Sequence, residues 1–116
     1  MKRDDDFIRN IMMDLEESQD FRLAVQETLS SSAEEQKLIY HIQLLCDAGL
    51  FKQIARGVYR LSSQGHDYLD AVRDDTIWSK TKEGAATVGG LTIGMMKDLA
   101  LAYVKQEAKE RLGIEF

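Results

Sequence analysis

The stretch LIYHIQLLCDAGLF, residues 38–51, decides how the rest of the chain is read. Leu38, Ile42 and Leu45 recur at helical spacing, and Gly49 follows where a helix ends in a left-handed residue. Leu50 and Phe51 then open an apolar strand. At about 100° per residue, Leu38, Ile42, Leu45 and Gly49 form the inward stripe, with Ile39, His41, Cys46 and Ala48 flanking it. The opposite face holds Gln36, Lys37, Tyr40, Gln43, Leu44 and Asp47. A helix that runs straight into a hairpin is the arrangement many small regulators use to read DNA. The outer face is therefore the first place to look for function.

Working outward, LFKQIARGVYRLS reads as a hairpin with Arg56-Gly57 as its tight turn. A two-residue turn sets Ile54 opposite Tyr59 and Lys52 opposite Leu61. Upstream, the SSS at 30–32 is a loop, and Ser31 with Glu34 or Ser32 with Glu35 supplies a capping box for a helix over 33–48. FRLAVQETL, with Phe21, Leu23 and Val25 alternating, is a short strand. A first helix from Asp4 or Asp5 to Glu17 carries Ile8, Ile11 and Leu15 on one stripe, widened by Phe7 and Met12. Asp4, Asp5 and Asp6 act as cap and first-turn acids. Downstream, Ser62 caps a third helix that runs through Asp75 and turns Leu69, Ala71 and Val72 inward. Residues 82–91, rich in Gly and Ala, read as a linker. A final amphipathic helix from about Thr92 to Leu112 places Ile93, Met96, Leu99, Ala100, Tyr103 and Val104 on one face, and Gly113 ends it.

The expected fold is mostly α with a small β-sheet, an α+β winged helix (winged helix-turn-helix-like) plus an extra C-terminal helix. The expected organisation is a domain over 1–81, the linker over 82–91 and the last helix over 92–116. One departure from DNA-reading winged helices is visible. Two helices normally lie between the first strand and the wing, and QETLSSSAEEQKLIYHIQLLCDAG has room for one long helix and at most a stub.

Two segments also carry a family resemblance. IYHIQLLCDAGLF contains the pattern H-x-x-L-L-x-x-A-G-L, and VYRLSSQGHDYLDAVRDDTIWSKTKE contains L-x-x-x-G-H-x-x-L-D-A. With the opening MKRDDDFIRNIMMDLEE, they make residues 1–83 resemble the domain-of-unknown-function 2513 family. That resemblance implies a bacterial protein of the phage, prophage or mobile-element kind with a winged-helix outline. It implies no activity and no site residues.

Composition excludes several classes. A 116-residue chain with 44% apolar and 30% charged residues is long enough for one modest core and too apolar to be disordered. One Cys and two His are too few for a disulfide framework or a Cys/His zinc site, and the lone thiol fits a reducing cytoplasm. The opening MKRDDDF lacks a signal-peptide core, and Lys97 with Asp98 interrupts the most apolar window, so no membrane association is expected. No phosphate loop, dinucleotide pattern or metal spacing occurs, and GGLTIG follows a loop rather than a strand. His66 and Asp70 lack a placed nucleophile, and His41 and Cys46 sit beside the buried stripe, where packing explains them. The expectation is a non-enzyme with no catalytic residues, no cofactor and no metal.

Charge is uneven. Residues 1–32 hold four basic against eight acidic side chains, a net of −4; residues 33–66 hold four against three, +1; residues 67–116 hold seven against nine, −2. Phosphate is repelled by the ends and tolerated by the middle. If double-stranded DNA is the partner, Lys37, Lys52, Arg56 and Arg60 are the phosphate contacts, with Arg56 at the wing tip, and Gln36, Tyr40 and Gln43 face bases. The three hairpin cations equally suit an edge hairpin that avoids strand-to-strand association. The second function class is a protein-interaction module, such as a phage accessory factor engaging a host protein. Tyr40 and Leu44 would then be the contact, and the face of the last helix that carries Ile93, Met96 and Tyr103 either folds back over the core, onto Tyr40 and Leu44, or pairs with a second copy as a homodimer.

Overall fold

The computed structural model describes residues 1–115. In chain order the elements are α1 (Asp5–Glu17), β1 (Arg22–Ala24), α2 (Ala33–Asp47), β2 (Phe51–Ala55), β3 (Val58–Leu61), α3 (Ser63–Val72), α4 (Asp75–Thr87) and α5 (Ile93–Leu112). The protein is thus mostly helical with one small antiparallel sheet, an α+β fold. It divides into two compact units, residues 1–66 and residue 67 onward, with the division inside α3.

In the first unit, α1 starts where Asp4 turns extended and its carboxylate accepts the Phe7 N–H at 3.0 Å. The orphan donors of a first turn make such a cap favourable by about 1 kcal/mol. Ile8, Ile11, Met12 and Leu15 are its buried stripe. Of the two possible capping boxes for α2, Ser32 with Glu35 forms, each side chain bonding the other's backbone N–H at 3.2 Å. Residues 25–32 contain no helix, so α2 stands without a supporting helix before it.

At the end of α2, Gly49 is left-handed with φ 77. The N–H groups of Gly49 and Leu50 return to the carbonyls of Cys46 and Leu45, a Schellman closure that seats Leu50 against the buried Leu45 side. Ser62 then clamps the base of the hairpin. Its N–H donates to Leu50 O at 2.9 Å, its hydroxyl donates to Gly49 O, and its Oγ accepts the Gly65 N–H at 3.0 Å. A Cβ on Gly65 would sit 2.0 Å from the Leu50 carbonyl oxygen, so only glycine lets α3 pass so close. The A-G-L and S-x-x-G segments of the two family-like patterns therefore meet in space.

The sheet order is β1-β3-β2, both pairs antiparallel. Its register differs from a simple two-residue hairpin. Phe51 pairs with Leu61, Lys52 with Arg60 and Gln53 with Tyr59, while Ala55 pairs with Val58, leaving Ile54 as the extra residue of a bulge. The turn explains it. Only Gly57 has positive φ, so the turn lacks the mirror-image twist that matches antiparallel strands, and a bulge absorbs the mismatch. The bulge also restores parity, placing Phe51 and Leu61 side by side in the core, 2% and 5% exposed.

In the second unit, α3 stops at Val72 instead of continuing through Asp75. Asp74 turns extended and accepts the Ile77 N–H, starting a new helix. That helix, α4, takes up residues 82–87 of the expected linker, leaving only a short Gly89-Gly90 connection before Thr92 caps α5. The misread has a plain cause: Ala85 and Ala86 are strong helix formers, and Gly84 is there for packing. A Cβ on Gly84 would lie 2.9 Å from both Leu99 and the Tyr103 hydroxyl, so α4 and α5 approach closely at that point. The inward side chains of α5 fall in its first half, Ile93, Met96 and Ala100, while Val104 and Leu112 are exposed. The helix ends at the left-handed Gly113.

Candidate functional site

The outer face of α2 is largely committed to the fold. Lys37 reaches back to α1, its Nζ 3.0 Å from Asp4 Oδ2 and 4.4 Å from the centre of the Phe7 ring. The Phe7 N–H first, and the Lys37 ammonium second, hold the Asp4 carboxyl below its usual range. His41 lies beneath this pair with no exposure. Its Nδ1–H donates to the Lys37 carbonyl at 2.8 Å and its Nε2 accepts the Asp4 N–H at 2.9 Å, which fixes a neutral ring protonated on Nδ1. Phe7 and Tyr40 meet that ring edge-on at 5.1 and 5.6 Å. Tyr40 and Leu44, expected on an open face, are half-buried. The Gln36 amide donates to Ser31 O. Of the residues expected to read bases, only Gln43 is exposed with its amide uncommitted among the described residues.

The sheet tells a different story. Its register sets Arg22, Arg60 and Lys52 directly opposite one another on β1, β3 and β2, so their side chains share one face. Like charges in cross-strand register are unfavourable by a few tenths of a kcal/mol per pair, and this row holds two such pairs. Arg22 is braced by Asp20 at 3.0 Å and lies 5.4 Å from the Phe21 ring centre; the bond to Asp20 keeps the guanidinium pKa raised. Arg60 is half-buried and donates to its neighbour's carbonyl, Leu61 O, at 2.9 Å. Lys52 and Arg56 are exposed, with no ion pair among the described residues. Arg22 was not a sequence candidate. It lies in a short strand distant in sequence from the hairpin, and only the pairing of β1 with β3 sets it opposite Arg60.

The other face of the same strands carries Leu23, Tyr59 and Gln53, and it borders an open groove of about 1060 Å³. Gln26, Gln43, Gln53, Tyr59, Ile39 and Arg56 are among its lining residues. The fold therefore brings Gln43 of α2 together with Arg56 of the hairpin turn, while Gln36, Lys37 and Tyr40 lie outside the groove. A second groove of about 450 Å³ lies between α1, α2 and β1, floored by Phe7, Ile11, Leu15, Leu23 and Leu38 with Asp14, Glu34 and Arg22 at its polar edge.

Other candidates resolve into packing. Ile93 and Met96 are 7% and 1% exposed, so they face inward instead of presenting a partner surface. Tyr103 is half-buried with its hydroxyl against Gly84. Asp70 accepts from Arg73 at 2.9 Å, leaving the exposed His66 outside that pair. Burial, with Asp47 adding to it, pushes the Cys46 thiol up, away from the reactive thiolate. Among the described residues no group of three His, Cys, Asp or Glu side chains is placed to hold a metal ion, and no helix is long and apolar enough to cross a membrane.

Fold and surface together define a small α+β domain that displays a cationic sheet face beside a polar groove. The chain belongs to the family described as hypothetical protein (DUF2513), which it matches over residues 2–92, as far as the cap of α5. It is also similar to an uncharacterized protein of Haemophilus influenzae (strain ATCC 51907 / DSM 11121 / KW20 / Rd), 31% identical over 117 residues that cover 94% of this chain and 93% of that protein. No solved structure matches the chain.

Proposed function

We propose that this chain is a non-enzymatic, cytoplasmic DNA-binding regulatory protein of the phage or mobile-element kind, built on a winged-helix-like scaffold. In this reading the hairpin and the sheet, not α2, meet the sugar-phosphate backbone. The Arg22–Arg60–Lys52 row carries the proposal. Asp20 pairs with Arg22, but Arg60 and Lys52 face each other with no acid between them; a polyanion lowers that repulsion and releases its own counterions on binding. Arg56, exposed at the turn, adds a further cation to the hairpin. The unfavourable net charge of −5 is concentrated elsewhere, in the first 32 residues and after residue 66.

The test is fluorescence anisotropy with labelled DNA at two salt concentrations. Lys52→Ala and Arg60→Ala should each weaken binding and reduce the salt slope by about one. Absence of binding at low salt would overturn the proposal.

A protein-interaction module is the second reading, and the groove between α1 and α2 favours it. An apolar floor with Asp14, Glu34 and Arg22 at its edge suits an amphipathic segment of a host protein. Self-association through α5 falls to its second half, where Val104 and Leu112 are exposed.

A further inference from the structure

We infer that the groove between α2 and the hairpin receives an unpaired nucleobase, so that the DNA held by the cationic sheet is single-stranded or locally opened. This rests on the proposed DNA-binding reading and specifies its ligand.

Shape is the first reason. A duplex keeps its base edges inside a major groove about 12 Å wide, and they are read by a convex element that enters it. Here the polar groups available for reading lie in a concavity. Gln43 sits on the wall of the groove, while the rest of the α2 outer face is tied up by Asp4, Ser31 and its own aromatic packing. A duplex base edge does not reach such a recess. A base that leaves its stack does.

Chemistry is the second reason. Gln26, Gln43 and Gln53 bring three amides to one groove, and none has a hydrogen-bond partner among the described residues. Each amide offers a donor and an acceptor side by side, the complement of a nucleobase edge. Tyr59, half-buried between Leu23 and Gln53 in the ladder, supplies an aromatic surface in the same recess. The volume of about 1060 Å³ leaves ample room for one base and its sugar.

Continuity is the third. Gln53 and Tyr59 on one face of the sheet are the immediate chain neighbours of Lys52 and Arg60 on the other, and Arg56, in the turn that joins the two strands, lines the groove itself. A single strand that passes the hairpin therefore keeps its phosphates on the arginine and lysine side while one base turns into the groove. The glutamines select for a base and the cations hold the chain.

Three labelled probes matched in total phosphates decide the matter: a short single-stranded oligo(dA), an abasic strand of the same length, and an oligo(dA)·oligo(dT) duplex of half that length. The single strand is expected to bind at least about fivefold more tightly than the abasic strand. Gln43→Ala, an exposed position, should remove most of that difference while leaving the salt slope unchanged. Arg60→Ala should do the reverse. Equal binding of the oligo(dA) and abasic strands, a preference for the duplex, or a base preference that survives Gln43→Ala together with Gln53→Ala would each overturn the groove assignment and leave phosphate binding by the sheet standing. No binding of any probe at low salt would overturn both.

Discussion

Lys37 and Lys52 are both lysines on the first unit, and the fold treats them oppositely. Lys37 has an acid at 3.0 Å, an aromatic ring beneath it, and a buried histidine holding the same two helices together. Lys52 stands in line with two arginines and has no ion pair among the described residues. A charge that closes a local pair explains itself by stability. A charge set in register with its like is a small cost within the fold, one that the proposed anionic ligand would relieve. Sequence alone ranks the two residues together; only the register separates them.

The largest expected effect tests the closed side of that contrast. His41→Ala opens a cavity and leaves the Asp4 N–H without its acceptor, and it should destabilise the protein by about 3 kcal/mol in a denaturant titration while leaving DNA affinity per folded molecule intact. A drop in affinity beyond the folded fraction would break the contrast by making α2 part of the interface.

Asp4→Ala comes next. It removes the cap of α1 and the partner of Lys37, with an expected cost of about 1–2 kcal/mol. The cap dominates, because both members of the ion pair are about two-fifths exposed and such pairs contribute less than about 1 kcal/mol. The acid dependence has a definite sign. Since the carboxyl is held below its usual 3.8, its contribution is complete above that pH and is lost as pH falls through the lowered folded value. Asp4→Asn should therefore flatten the acid limb of a stability–pH profile. An unchanged limb would show that the pair is not closed in solution.

The smallest effect on stability is the sharpest for function. Arg60→Glu replaces two like-charge oppositions with two attractive ones, so the folded state should gain about 0.5 kcal/mol while DNA binding falls. Loss of stability together with unchanged binding would remove the row from the account.

Much of the fold was legible because its signals are local. The caps at Asp4 and Ser32 follow from side chains bonding their own neighbourhood, and the helix stops at Gly49 and Gly113 and the Arg56-Gly57 turn follow from glycine's freedom to take positive φ. The misread features depend on distant partners. Ile54 is bulged because Phe51 and Leu61 must share the core side, and no single strand announces that. Residues 82–87 look like a tether until Leu99 and Tyr103 of α5 show why Gly84 is small. The candidate site divides the same way. Lys52, Arg56 and Arg60 could be picked out from their hairpin, and Gln43 from its helix face, but Arg22, Gln26, Gln53 and Tyr59 joined them only through pairing and loop placement.

Ser62 has one more implication. Its three hydrogen bonds shut the hairpin at its base, with Phe51 and Leu61 anchored side by side and Gly65 fitted against the Leu50 carbonyl. Everything between those anchors is a cassette: its insertion point is fixed by residues outside it, and its own residues contribute little to the core. The exposed β2 positions and the turn, residues 52–56, can then be substituted at little cost to the core, whereas residues 58–60 also answer to their β1 partners Arg22, Leu23 and Ala24.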